Sequence, residues 1–353
     1  MESGMIRIGE AFQGRDNRFT PIRILLASLV ILEHLFVVAM GTGSQSLVSL
    51  QGWSPGYLAV NCFFILSGFL IAGSLDRRRN LFRFVLARAL RLWPALIVLS
   101  LAAVLILGPV ATGLSPAAYW QSAQTWLFIP NIVFFADTSG GPAGVFIGNP
   151  APGEFSASLW TLRYEVLAYA AAALLFFTRA LWRPLAISLL WLGMSALVVY
   201  LALRHPEAPA VFIEGSRLAA AFLLGVVAYT LRDRIPLTPI PLAVALPLAW
   251  FLGDHPAAQI VWNLALATLV LWVGLSRLDR VPTGSSLPDW PYGLYIWHYP
   301  LFQLVWHWGW ATSLLHLAMI GIPITAAAAA LSWHFVEKPA LGLSGRLFRS
   351  SHG

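Results

Sequence analysis

The chain has 353 residues, of which 58% are hydrophobic and only 10% are charged, and its mean hydropathy is +0.73. A soluble globular domain of this length would not tolerate so apolar a surface, so the composition excludes that class and predicts a polytopic membrane protein. The basic residues behind the net charge of +7 are all arginine except Lys338, and the single cysteine, Cys62, excludes an intramolecular disulfide framework and a cysteine-based metal cluster.

Ten apolar stretches are long enough to cross a bilayer, which takes roughly 17 to 25 residues of helix. We therefore expect an all-α, polytopic integral membrane helix bundle with about ten transmembrane helices. A single transmembrane domain, 1–340, is expected to precede a short cytoplasmic tail, 341–353. The predicted spans are residues 21–40, 57–75, 92–112, 159–177, 184–203, 216–231, 237–253, 259–275, 290–310 and 314–335.

The distribution of arginine predicts the orientation of the bundle. If the N-terminus is cytoplasmic, the inner segments hold nearly all the basic residues, and only Arg204 and Arg217 fall near outer ends. The positive-inside rule then gives an N-in, C-in topology. The basic residues assigned to the inner side are Arg7, Arg15, Arg18, Arg77, Arg78, Arg79, Arg83, Arg88, Arg91, Arg179, Arg183, Arg232, Arg234, Arg277, Arg280, Lys338, Arg346 and Arg349.

The first apolar stretch contains two ionisable residues, Arg23 and His34, eleven positions apart. Eleven residues make three helical turns, so the two side chains share one face about 16 Å apart. An ionisable residue at bilayer depth costs roughly 2.5 to 3.5 kcal/mol to insert, which favours a functional role for His34. A neutral imidazole can act as general base, and a polar contact that locks helix packing is the alternative.

Arg88 and Arg91 follow the second span at an i, i+3 spacing, which places them on one helix face. Trp93 and Pro94 are expected to open the third span directly after them. Two adjacent guanidinium groups suit a ligand that carries several phosphate charges. Topology anchoring alone explains the nearby run Arg77–Arg79.

Two further spans contain polar groups. Ser67 and Gly68 interrupt the apolar wall of the second span, where close helix packing is the alternative to a functional role. Arg163 and Glu165 open the fourth span from the outer side. They either pair with each other, or Glu165 faces the same cavity as His34 and orients an acceptor hydroxyl.

The longest extramembrane segment, 113–158, is rich in glycine, proline and aromatic residues and is expected outside. It is either a capping loop over the outer mouth of a cavity or a plain surface loop. In the ninth span, His298 lies between Trp297 and Tyr299, where a packing or aromatic-belt role and a functional role are both open. Pro339 is expected to end the last helix.

Taken in order, six segments resemble the acyltransferase-3 family of bacterial membrane O-acyltransferases. They cover nearly the whole chain, and together they are more specific than any one of them alone. Asn61 and Cys62 stand where relatives commonly have an acidic residue, and Glu33 beside His34 is also unusual. The segments are Arg23-x10-His34, Phe63 to Ile71 (FFILSGFLI), Arg88-x2-Arg91-x2-Pro94, LWTLRYE ending at Glu165, Tyr292 to Pro300 (YGLYIWHYP) and Phe335 to Pro339 (FVEKP).

The resemblance implies a multi-pass enzyme of the bacterial cytoplasmic (inner) membrane, surrounded by membrane lipids and without nucleic acid or metal. It would move an acyl group, usually acetyl from acetyl-CoA, from the cytoplasm to a sugar hydroxyl on a surface polysaccharide or lipid-linked glycan. Arg23 and His34 then form the essential pair, and Glu165 assists catalysis. Arg88, Arg91 and Ser67 are the residues assigned to the coenzyme.

Direct attack of the hydroxyl on the thioester, with His34 as base, is the expected mechanism. An acyl-enzyme route through His34 or Ser67 stays open. The alternative from another class is a transporter or flippase for glycans or lipids. Ion-coupled transport commonly uses intramembrane carboxylates, and the predicted spans hold only Glu33 and Glu165, which argues mildly against it.

Overall fold

The computed structural model describes residues 6–12, 17–42, 52–276, 283 and 287–347. Throughout these residues the regular structure is helical, and the described ranges contain no β-strand. The helices are α1 Ile8–Ala11, α2 Phe19–Met40, α3 Pro55–Arg78, α4 Leu81–Ala102, α5 Gly108–Ala111, α6 Pro116–Gln121, α7 Ala123–Val133, α8 Trp160–Phe177, α9 Pro184–Arg204, α10 Ala210–Thr230, α11 Ile240–Leu252, α12 Ala258–Leu275, α13 Pro291–His307, α14 Leu314–Ser332 and α15 Lys338–Leu347.

Each of the ten predicted spans coincides with a helix. Eight helices in the described ranges are long and apolar enough to cross a membrane. The other two predicted spans correspond to α11 and α13, which have 13 and 17 residues. The all-α membrane bundle is therefore confirmed, while the count of ten and the N-in, C-in orientation stay predictions. Arg15, Arg277, Arg280, Arg349 and the tail residues 348–353 lie outside the described ranges.

The prediction that Pro94 opens the third span is wrong. Helix α4 begins at Leu81 and passes through Pro94, which lies inside it. Arginines interrupt the apolar pattern before residue 92, so hydropathy alone places the helix start too late. Proline removes the backbone N–H donor that would bond to the carbonyl of Leu90, and its ring crowds that carbonyl, but the helix continues on both sides of it.

Pro339 does not end the last helix either. A wide π-helical turn, Trp333–Glu337, joins α14 to α15, and Lys338 N–H bonds to the carbonyl of Trp333, five residues back. Pro339 follows as the second residue of α15. Proline is tolerated in the first turn of a helical segment, because an N–H there needs no partner within the helix.

The chain divides into two compact units, which we describe separately. The first consists of Met1–Leu26, Ser49–Leu81 and Tyr164–Pro288. Its centre is the crossing of α3 and α10, where a Cβ on Gly68 would lie 2.0 Å from the carbonyl oxygen of Phe222. On the opposite helix, a Cβ on Gly225 would lie 2.0 Å from the carbonyl oxygen of Ile65. Glycine at both positions lets the two backbones touch, so Gly68 has the close-packing role.

The first unit also buries a cation between α3 and α10. Arg217 is 3% exposed, and its guanidinium donates to Glu214 and Asn61. The same guanidinium lies 3.9 Å from the ring centre of Tyr57, whose hydroxyl donates to Gln259 Oε1 at 2.6 Å. Arg217 is therefore fully engaged in a polar network that ties α3, α10 and α12 together.

The second unit consists of Ala27–Val48, Phe82–Arg163 and Asp289–Gly353. Residues of α2 at i, i+4 and i+7 form one apolar seam, which packs on α13 and α14. This packing sets the register between α2 and α13. The buried residues of the cluster are Ile31, Leu35, Val38, Tyr299, Phe302, Val305, Ala311 and Leu317.

Gln303 of α13 holds the segment that precedes α8. Its amide Nε2 donates to the carbonyls of Ala151 at 2.8 Å and Glu154 at 2.9 Å. Asn149 Nδ2 donates to Gln303 Oε1 at 2.7 Å and to the Gln303 carbonyl at 2.9 Å. This part of the predicted 113–158 segment therefore packs on α13, although its closing of a cavity stays a prediction.

Gly68→Ala is expected to lower the melting temperature of the detergent-solubilised protein. The added methyl group overlaps a backbone carbonyl, and overpacking of this kind costs about 1–3 kcal/mol. Gly193 on α9 is the matched control, because a Cβ there meets no atom within 4 Å. Gly193→Ala should be neutral or stabilising by about 0.5–1 kcal/mol. Equal melting temperatures for the two variants would contradict the close crossing.

Gln303→Leu is expected to release the loop from α13. The substitution leaves the carbonyls of Ala151 and Glu154 without their buried donor, at about 1–3 kcal/mol each, and removes one of the two bonds of the Asn149 amide. Hydrogen exchange of peptides covering 149–154 should accelerate at least about tenfold, the factor that 1.4 kcal/mol produces. Gln124→Leu, which removes one part-buried bond to the Gly141 carbonyl, is the control. Unchanged exchange in Gln303→Leu would show that the loop is held elsewhere.

Candidate active site

His34 lies in α2 between two members of the apolar seam, Ile31 and Leu35. The seam turns His34 toward α13, and the imidazole stays half-buried. Arg23 lies in the same uninterrupted helix, so the eleven-residue offset does place both groups on one face. Arg23 is half-buried, and its Nη2 lies 3.5 Å from Thr20 Oγ1.

His34 pairs with a second histidine, His298 of α13. Nδ1 of His34 lies 2.6 Å from Nε2 of His298. The ring planes differ by 11° and the ring centres are 4.9 Å apart. That separation equals the nitrogen–nitrogen distance plus about one ring radius on each side. The two rings are therefore nearly coplanar and edge to edge, which is the geometry of an in-line hydrogen bond.

His298 is fully buried, and its other nitrogen is also engaged. Nδ1 of His298 lies 2.9 Å from the carbonyl oxygen of Leu294, one turn earlier in α13. Aromatic rings line its surroundings, with Phe302 edge-on at 5.8 Å and Tyr295 at 6.2 Å between ring centres. His298 therefore joins His34 to the α13 backbone through a continuous chain of hydrogen bonds.

Tyr299 forms a wall beside this pair. Its ring stands at 85° to the ring of His34, with centres 5.2 Å apart. The hydroxyl of Tyr299 donates to the carboxylate of Glu154, in the loop that Gln303 holds. The loop thus places a carboxylate one side chain away from the histidine pair.

Arg88 and Arg91 lie one turn apart in the first half of α4, on one helix face, as their spacing predicts. Arg91 Nη1 is 3.0 Å from Asp289 Oδ2 and 4.0 Å from Glu337 Oε2. Glu337 is 1% exposed, and its Oε1 accepts a bond of 2.9 Å from the Ser332 hydroxyl. Two carboxylates therefore offset much of the charge on Arg91. Arg88 is half-buried one turn earlier in the helix.

Glu165 and Ser67 both lie in the first unit. Glu165, in α8, accepts a hydrogen bond from the Tyr169 hydroxyl one turn later. Ser67 is half-buried on α3 beside the close-packed Gly68. Their assigned roles in catalysis and coenzyme binding remain predictions.

Arg163 belongs to the second unit and contacts the loop through its Nη2, which donates to Thr138 Oγ1 at 3.1 Å. The adjacent Asp137 accepts bonds from the backbone N–H of Ser139 at 3.0 Å and from the Ser139 hydroxyl at 2.9 Å. These bonds, the backbone bond first, together with a bond from Gly140 N–H and the charge of Arg163, lower the pKa of Asp137 below its ordinary value. Asp137 is therefore charged at neutral pH.

Sequence reasoning left His298 undecided and missed Glu154 and Asp289. A second histidine within a predicted span was the available signal for His298. Glu154 and Asp289 lie outside the predicted helices, where an acidic residue is unremarkable. Within the described ranges, no three histidine, cysteine, aspartate or glutamate side chains group closely enough to hold a metal ion.

Two known proteins are similar to this chain over most of its length. Nodulation protein 10 of Rhizobium leguminosarum bv. viciae is 26% identical over 365 aligned positions, which cover 95% of each chain. An O-acetyl transferase of Shigella phage Sf6 is 25% identical over 357 positions, covering 92% of this chain and 96% of the relative. No solved structure matches the chain.

The motifs quoted above predict one family, and a family profile described as an acyltransferase domain matches residues 21–334. The match covers nearly all of the membrane helices, including His34, His298, Arg88 and Arg91. It confirms the resemblance: the chain belongs to the acyltransferase-3 family of membrane acyltransferases.

Proposed function

We propose that this protein is a membrane O-acyltransferase that transfers an acetyl group from cytoplasmic acetyl-CoA to a sugar hydroxyl on a surface polysaccharide or lipid-linked glycan. Family membership and the relative named as an O-acetyl transferase support the reaction class. The single observation that carries the proposal is the His34–His298 pair. Along α13, His298 lies between Tyr292, which Arg91 contacts, and Gln303, which holds the polar loop.

The arginine end suits the acyl donor. Arg91 lies 5.6 Å from the ring centre of Tyr292, near the start of α13. His298 follows six residues later, about 9 Å further along the helix axis. A coenzyme whose phosphates bind at Arg88 and Arg91 would need a long, narrow arm to bring its thioester to His34, and acyl-CoA has such an arm. Ser67 is proposed to contribute to the coenzyme pocket.

The loop end suits the acceptor. Tyr299 and Gln303, which hold Glu154 and its neighbours, lie one and five residues beyond His298 on α13. Carboxylate and amide groups are the usual hydrogen-bond partners of sugar hydroxyls. We propose that the acceptor enters from this side, with Glu165 orienting its hydroxyl and Arg23 acting with His34 from the cytoplasmic end of α2.

In this proposal His34 removes the proton of the sugar hydroxyl as the oxygen attacks the thioester carbonyl. This attack forms the new C–O bond and a tetrahedral intermediate. Collapse of the intermediate restores the carbonyl and breaks the C–S bond, and the coenzyme leaves as a thiolate that takes the proton from His34. The protein would act in the bacterial cytoplasmic membrane with both termini inside, so that donor and acceptor approach from opposite faces.

His34→Ala is expected to lower acetyl transfer at least about 100-fold, since a positioned general base contributes roughly 100- to 10,000-fold. The assay measures radiolabelled acetyl from acetyl-CoA on membrane and surface glycans of cells that express each variant, alongside mass spectrometry of the glycans. His316→Ala, at an exposed histidine of α14, is the control.

Full activity in a correctly inserted His34→Ala variant would contradict the role of this residue. The same assay separates the enzyme from a transporter or flippase. A transporter accumulates substrate without the label, whereas the enzyme places the labelled acetyl group on the acceptor.

Arg88→Gln is expected to weaken acetyl-CoA binding by about tenfold or more, because a hydrogen bond to a charged group contributes about 1.5–3 kcal/mol. Equilibrium dialysis of labelled acetyl-CoA against purified protein measures the affinity. Arg83→Gln, on the same helix, is the control and should bind normally.

Arg91→Gln should both weaken binding and lower the melting temperature, because Glu337 then loses a buried counter-charge. Wild-type affinity in the double variant Arg88→Gln/Arg91→Gln would rule out the phosphate assignment.

A further inference from the structure

The hydrogen bonds of His298 determine which of its nitrogens carries a proton. Its Nδ1 faces the carbonyl oxygen of Leu294 at 2.9 Å, and a carbonyl oxygen can only accept. Nδ1 must therefore be the N–H donor. A neutral imidazole has one N–H, so Nε2 of His298 presents a lone pair toward His34.

The neutral form of His298 is the one that its surroundings favour. The side chain is fully buried, and the rings of Phe302, Tyr295 and Tyr299 are its described neighbours besides His34. The carboxylate of Glu154 accepts a hydrogen bond from the Tyr299 hydroxyl and is not in contact with His298 in the hydrogen bonds described. An imidazolium at His298 would be a buried charge in an aromatic setting, which is costly without a charged partner.

The same reasoning then assigns the protons of His34. Its Nδ1 lies 2.6 Å in line with the lone pair of His298 Nε2, and two lone pairs facing each other at this distance would repel. Nδ1 of His34 must therefore be the donor, which leaves Nε2 of His34 bare. The bare nitrogen is on the far side of the ring from His298.

We infer that His298 is a positioning residue for the acyl transfer: it holds His34 in the Nδ1–H tautomer, so that Nε2 is the nitrogen that takes the proton from the acceptor hydroxyl. This inference rests on the proposed role of His34 as general base. When Nε2 of His34 gains the proton, its Nδ1–H becomes part of a cation. The bond to His298 then becomes charge-assisted and stronger, which stabilises the protonated base during the reaction.

Tyr299 packs against His34 but does not hydrogen-bond to either histidine. Its hydroxyl is committed to Glu154, and its ring stands nearly perpendicular to His34. The ring therefore limits rotation of His34 about χ2, and the bond to His298 is the hydrogen bond that selects the tautomer among the described residues.

Three substitutions at position 298 separate positioning from packing. Glutamine places its side-chain oxygen near the position of the histidine Nε2, so His298→Gln keeps an acceptor for His34. Asparagine is one methylene shorter and ends near the position of Nδ1, so His298→Asn can bond to the Leu294 carbonyl but does not reach His34. His298→Phe keeps the ring volume and removes both bonds.

We expect kcat to fall at least about 100-fold in His298→Asn and His298→Phe, while KM for acetyl-CoA stays within about twofold. His298→Gln should retain kcat within about tenfold of the wild type. Equal losses in the glutamine and asparagine variants, or wild-type kcat in the phenylalanine variant, would overturn the positioning role.

Nitrogen-15 NMR of histidine-labelled protein tests the tautomer in the unsubstituted chain and needs no folded variant of position 298. The protein has 8 histidines, and the signals missing from His34→Ala identify those of His34. A protonated Nδ1 and a bare Nε2 are expected for His34 in the wild type and in His298→Gln. A protonated Nε2 in the wild type would overturn the inference directly.

These results are distinguishable from a failure of the proposed function. If His34→Ala is fully active, the general-base proposal itself fails. If His34→Ala is inactive while His298→Phe has wild-type kcat, His34 keeps its role and only the positioning by His298 is refuted.

Discussion

Polar groups inside a membrane must find hydrogen-bond partners within the protein, and this requirement sets the rotation and register of helix α13. Tyr295, Tyr299 and Gln303 recur every four residues along one face, and all three are buried and hydrogen-bonded to the segment 149–161. His298 lies on the neighbouring face and bonds to α2. A rotation of α13 would break both sets of bonds at once. One helix register therefore sets the position of the loop and of the histidine pair together.

In the first unit, the central helices pack through close backbone contact. Gly68 and Gly225 let the backbones of α3 and α10 touch, and the close approach needs no polar contact. Its buried cation, Arg217, is neutralised by Glu214 and stacked on Tyr57. Arg217 was notable in the sequence only as one of two arginines near an outer end. Its structural role depends on partners that lie far away in the chain.

Within the second unit, Arg91 has charged partners, whereas His34 has a neutral one. Arg91 is already balanced by Asp289 and Glu337, so an incoming phosphate must compete with two carboxylates for this guanidinium. At the histidine pair the partner of His34 is neutral. A carboxylate in place of His298 would also orient the imidazole, but it would bury a charge among aromatic rings. A neutral imidazole orients the base without that penalty.

The amino-acid sequence by itself determined the membrane class, the approximate positions of the helices and the family, because hydropathy and short motifs are local properties of the chain. The placement of Arg23 and His34 on one helix face also follows from local periodicity. The ends of helices were harder to predict from the sequence. The arginines before Pro94 break the apolar pattern, although the helix continues through them.

Only the tertiary structure decided the partners. His34 meets His298 across 264 positions of sequence, Glu154 reaches Tyr299 across 145, and Arg91 is paired with Asp289 and Glu337. Such pairs depend on the register and rotation of one helix against another. Those are set by the packing of whole apolar faces such as the α2–α13 seam, and no local pattern in the sequence encodes them.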